Sequence, residues 1–154
     1  MIDRRAVLVA TRRWAPVGVV VAFWLWVAWP FLRTDGWITS FATVAYSGPN
    51  LSVTFEAVRD GRVAHWNDLV FGGVNHIGNP QTSAMYPLLW VMAWFDVHRA
   101  MMLTTAMHLA VIASGTWVLV RRFPASRAAA SVAAITLLGS GLVMARTIQF
   151  EQIS

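Results

Sequence analysis

The stretch Ser83-Ala-Met-Tyr-Pro-Leu-Leu-Trp-Val-Met-Ala-Trp-Phe95 decides the fold, because the topology depends on whether it crosses a membrane. It is uncharged and apolar, yet only about 13 residues long, where a helix needs about 20 to traverse ~30 Å of hydrocarbon. That length suits an interfacial or re-entrant helix. Three other segments are uncharged for long enough to cross: 14–32, 100–120 and 128–145. Arginine placement gives an independent test. Arg4, Arg5, Arg12 and Arg13 precede the first of these spans, and Arg121, Arg122 and Arg127 fill the short connection between the last two. Dense positive charge in short flanking loops marks the cytoplasmic side. Both groups fall on one side only if an even number of crossings separates them, so 83–95 is expected not to cross.

The expected architecture is therefore an all-α integral membrane protein with three transmembrane helices and a long first external loop containing interfacial helices. Residues 1–13 are a cytoplasmic N-terminus, 14–32 the first span, and 33–99 the external loop, including 83–95. Residues 100–120 form the second span, 121–127 a cytoplasmic loop, 128–145 the third span, and 146–154 lie outside. A cleaved signal peptide is disfavoured, since the first uncharged run exceeds a usual h-region and no Ala-x-Ala site follows closely.

Composition agrees with a membrane protein. The chain has 154 residues, 57% of them hydrophobic and 12% charged, with mean hydropathy +0.55; an ordinary soluble domain is about 25% charged. The net charge is +5, but the basic residues cluster at span ends and form no stripe interleaved with aromatics, so nucleic acid is not an expected partner. Every fixed cation is an arginine, suited to forked contacts with phosphate. With no cysteine, disulfides, thiolate metal sites and a cysteine nucleophile are excluded.

Within the external loop, Trp37, Ile38, Phe41, Val44 and Ala45 recur at helical spacing. After the Gly48-Pro49 break, Asn50 is expected to cap a short helix with Leu51, Phe55 and Val58 as its apolar stripe, closing at Asp60-Gly61. Residues 62–82 are rich in Gly, Asn, Pro and His with little periodicity, the composition of a functional loop. The third span is rich in Ala, Gly and Ser, a face that permits close helix approach and calls for neighbours. Because the chain stops at Ser154 in mid-loop, it reads as the N-terminal portion of a larger polytopic protein, inactive alone.

The run Asp60-Gly-Arg-Val-Ala-His-Trp-Asn67, then Gly72-Gly73, Gly78-Asn-Pro-Gln-Thr-Ser83 and Tyr86-Pro87, resembles the first external loop of YfhO-type bacterial membrane proteins. Those belong to the broad class of GT-C-like polytopic glycosyltransferases. The likeness extends through His108, Arg121-Arg122 and the Ser140-Gly141 step, over residues 30–150. One departure is that Val63-Ala64-His65 stands where a Leu-Pro-type pair is commoner. The resemblance implies a bacterial plasma membrane location and sugar transfer from a polyprenyl-phosphate donor to a glycan or lipid acceptor outside the cytoplasm. It also implies an acidic residue near the first span.

Asp35 is then the candidate catalytic base, three residues past the first span, where a carboxylate could take the acceptor hydroxyl's proton. Arg62 and Arg99 are candidate phosphate contacts, Trp66 a sugar-stacking platform, and Asn67, Asp68, Asn79 and Gln81 candidate polar contacts to substrate. His65, Asp68 and His76 lack the close spacing of a ligand pair, so no metal or other cofactor is evident. No Gly-rich nucleotide loop or nucleophile elbow occurs. The rival class is a non-catalytic membrane assembly, transport or lipid-binding component whose loop contacts membrane lipid or a partner.

Overall fold

The computed structural model describes residues 4–33 and 43–147, and these are mostly helical. Among the described residues two helices are long and apolar enough to cross a membrane, Trp14–Arg33 and Val97–Val120, or three if the bent pair Arg127–Leu138 and Gly141–Thr147 is one span. The chain divides into two compact units, Met1–Trp29 with His108–Met144, and Pro30–Met107 with Ala145–Ser154.

The first unit contains most of helix α1 (Arg4–Arg33), the second half of α4 (Val97–Val120), α5 (Arg127–Leu138) and part of α6 (Gly141–Thr147). Its packing rests on small residues. Ala28, Ala113, Ala130 and Ala134 are buried, and a Cβ on Gly139 would come within 3.3 Å of the Phe23 ring. Trp117 Nε1 donates to Ser131 Oγ at 3.3 Å, and the Arg127 guanidinium lies 4.8 Å from the centre of the Trp14 ring. Helix α5 starts at an N-cap, Ser126, whose hydroxyl accepts from Ala129 N–H.

A straight helix over 128–145 is not what forms. Helix α5 ends at Leu138, and α6 continues at an angle of 50°. The cause is local: Ser140 turns its hydroxyl onto Val143 N–H at 3.3 Å and so caps a new helix. Serine competes well for backbone donors at such starts and poorly in helix interiors.

The second unit begins with the last turn of α1. A π-helical turn, Thr43–Ser47, runs directly into α2 (Gly48–Arg59). Asn50 therefore sits inside the first turn of a continuing helix rather than capping it, and its Nδ2 donates back to the Tyr46 carbonyl at 2.9 Å. Leu51 and Phe55 are fully buried, as is Ala57, while Val58 is only half-buried. The helix closes with a Schellman arrangement: Gly61, at φ +69, donates to Val58 O, and Arg62 N–H donates to Ala57 O.

Beyond α2 come a two-residue antiparallel ladder, β1 (Trp66–Asn67) against β2 (Val74–Asn75), and a 3-10 turn, Pro80–Thr82. Next is α3 (Pro87–Met92), the only helical part of 83–95, with six residues. At 1.5 Å per residue it is about 9 Å long, far short of a bilayer. Arg59 holds its end, donating from Nε to Ala93 O at 2.6 Å and from Nη2 to Phe95 O at 2.9 Å. A guanidinium there satisfies the orphan carbonyls and complements the helix dipole.

Asp96 then caps α4, its Oδ1 accepting from Arg99 N–H at 2.9 Å. Arg99 reaches across to α1, where Nη1 donates to Leu32 O at 2.8 Å. The final carbonyls of a helix have no partner within it, and here a cation from the start of one apolar helix occupies the end of the other.

Candidate functional site

A chain of polar side chains, buried at Asn50 and Asn67 and open at Tyr46, runs through the second unit. Asn67 Nδ2 donates to Asn50 Oδ1 at 3.2 Å, and Asn67 Oδ1 accepts from Leu69 N–H at 3.0 Å. Asn50 continues to the Tyr46 carbonyl, and the Tyr46 hydroxyl accepts from Asn79 Nδ2. Asn79 Oδ1 in turn accepts from Gln81 N–H at 3.0 Å, which starts the 3-10 turn. Asn79 thus bonds Tyr46 directly, and Asn67 reaches it only through Asn50. Their side chains are occupied by the scaffold.

A second branch runs through His76, which is fully buried. Its Nε2 and Thr54 Oγ1 share a hydrogen bond at 2.8 Å, and Thr82 Oγ1 donates to the His76 carbonyl at 2.8 Å. Burial pushes the imidazole pKa below 6.5, which keeps the ring neutral. Thr54 Oγ1 also approaches Asn50 O at 3.4 Å. The arrangement that uses both threonine contacts places the imidazole proton on Nε2. Nδ1 is buried and has no hydrogen-bond partner among the described residues.

The other candidates stand at the rim or apart from it. Arg62 is exposed and paired with Asp60 at 3.1 Å. Asp68 and the Gln81 side chain are exposed. The Trp66 ring covers Gly73, so closely that a Cβ there would lie 2.7 Å from it, and is otherwise open to solvent. His65 is exposed, with Nδ1 2.9 Å from the Val63 carbonyl, whereas His76 is buried. Arg99 is at the α1–α4 junction. Asp35 lies outside the described residues.

Two hollows flank the polar chain. One of about 180 Å³ is lined by Thr54, Arg62, Val63, Ala64 and Trp90 among others; one of about 230 Å³ is lined by Asn79, Ser83, Met85 and Tyr86 among others, and Ala84 borders both. Each is below the ~300–1,000 Å³ usual for a small-molecule site. Arg62 borders the first while paired with Asp60, and Asn79 borders the second with its amide held by Tyr46 and Gln81. Sequence reasoning missed Tyr46, Thr54 and Thr82, whose pairing depends on contacts distant in the chain. Comparison with protein-family models, curated proteins and solved structures finds no match for this chain.

Proposed function

We propose that the chain belongs to a multipass membrane glycosyltransferase that moves a sugar from a polyprenyl-phosphate donor to an acceptor outside the cytoplasm. The observation that carries the reading is the Arg99–Leu32 bond. It fixes a guanidinium at the end of α1, and Asp35 is three residues further on, within a chain reach of at most about 11 Å from Leu32. A carboxylate that can accept a hydroxyl proton and a cation that can meet a departing phosphate are the two groups this transfer needs. Trp66, Asp68 and Gln81 are exposed on the same unit and available to a sugar.

The test is transfer from a panel of polyprenyl-phosphate sugars, assayed in membranes that carry the complete gene product. Transfer is expected, and Asp35→Asn is expected to lower it by about 10²-fold or more, the usual contribution of a positioned base. Undiminished transfer by Asp35→Asn, or none from any donor, would refute the proposal.

A further inference from the structure

The loop that joins β1 to β2 is built against the preference of its own residues. Asn67 Oδ1 accepts from Leu69 N–H, and Val70 O accepts from Gly73 N–H at 2.9 Å. The two residues enclosed by the second bond, Phe71 and Gly72, have φ of +52 and +77. That is the φ pattern of a type I′ turn, whose first central position favours Asn, Asp or Gly. Phenylalanine there is strained. It is also 95% exposed, beside Leu69 at 76%. The strained conformation holds a large apolar ring in the open, so no contact within the described chain repays it.

The tip is also stiffened from behind, since the Trp66 ring lies against Gly73 at a distance that admits no Cβ. Leu69 and Phe71 are therefore presented on a braced hairpin.

What covers them is indicated by how this unit is tethered. Its covalent entrance is the last turn of α1 and its exit the start of α4, both parts of helices apolar enough to cross a membrane. Arg99 bonds those two ends together. A second exposed apolar group lies just before α4: Val91 at 64%, Trp94 at 74% and Phe95, while Leu89 and Met92 of the same segment are buried. Such a segment, apolar on its packed and open sides alike, suits a lipid interface, where tryptophan is favoured. A body held at a bilayer by both ends, with two apolar protrusions, has lipid as its nearest apolar phase.

We propose that the Leu69–Phe71 hairpin tip is a membrane-interface wedge that inserts into the lipid headgroup and upper acyl region. This inference is independent of the glycosyltransferase reading.

The natural chain has no cysteine, so single reporters can be introduced without background. A fluorophore is attached to the Phe71→Cys variant, and in parallel to Leu69→Cys and Asp60→Cys. Each protein is placed in nanodiscs of phosphatidylethanolamine and phosphatidylglycerol, with and without bromines on the upper acyl chain. Labels at positions 69 and 71 are expected to lose most of their emission to the brominated lipid and little to aqueous iodide, with the reverse at position 60. Adding Phe71→Asn to the Leu69→Cys reporter suits the turn and removes the ring, and should weaken quenching by brominated lipid. Iodide accessibility at 69 and 71 equal to that at 60 would overturn the proposal. So would labels shielded from iodide yet indifferent to brominated lipid, since a protein and not lipid would then cover the tip.

Discussion

At His76, burial disfavours the charged imidazole, and this makes the unit's stability depend on pH. The folded pKa is below the unfolded value of 6.5. Above 6.5 both states are neutral and the full stability is present. As pH falls below 6.5 the unfolded chain takes up a proton that the folded chain refuses, so stability declines until the folded pKa is passed. Amide exchange across residues 66–82 in nanodiscs should therefore speed up between pH 7 and pH 5 by more than intrinsic exchange chemistry accounts for; a flat corrected profile would contradict this. Thr54→Val removes the Nε2 partner and is expected to cost about 1–3 kcal/mol of unfolding free energy, as for a buried polar atom left unpaired. Asn67→Ala should cost a similar ~1–3 kcal/mol, whereas Asp68→Ala and Gln81→Ala should stay within about 0.5 kcal/mol, as exposed positions do. Loss of function in Thr54→Val or Asn67→Ala would then report on the scaffold, and in Asp68→Ala or Gln81→Ala on the surface. Residue type alone made Asn67 and Asp68 look alike. What separates them is the contact of Asn67 with Asn50, seventeen residues earlier, which local sequence does not reveal.

Among the elements, those closed by local chemistry were legible and those shaped by distant partners were not. Asp60-Gly61 as a helix end follows from the left-handed position a Schellman motif needs. That 83–95 is a short piece and not a full-length helix follows from its length and Pro87. The start of α2 was misread, because a π-helical turn supplied the preceding structure and Asn50 bonded backwards to Tyr46. The break at Ser140 was also missed, since composition reads as continuous where a single hydroxyl changes partner. Ser140→Ala should weaken the start of α6 by about 0.5–2 kcal/mol, the usual loss for a cap, seen as faster exchange at Val143. The hairpin gives a sharper contrast. At Gly73, φ is +116 and a Cβ would meet the Trp66 ring at 2.7 Å, whereas Gly72 at φ +77 has nothing within 4 Å. Gly73→Ala is expected to destabilise the hairpin by about 1–3 kcal/mol, and Gly72→Asn to be tolerated. Equal effects on amide protection at β1 and β2 would show that the ring does not brace the turn.

For the molecule as a whole, helix α4 runs unbroken from Val97 to Val120, so its ends emerge on opposite faces of any membrane it crosses. The segment before it contains only the six residues of α3 as helix, too short to add another crossing. Arg99 holds the beginning of α4 to the end of α1, which keeps the entrance and exit of the Pro30–Met107 body together. That this body faces the outside is the expectation from arginine distribution and span length, both of which reflect the cost of placing charge and unpaired backbone in hydrocarbon. The most direct measurement of this claim uses two single-cysteine variants, Gln81→Cys and Pro124→Cys, in a chain otherwise free of cysteine. In intact cells a membrane-impermeant maleimide should label position 81 and reach position 124 only after the membrane is opened. Labelling of both, or of neither, in intact cells would contradict the account.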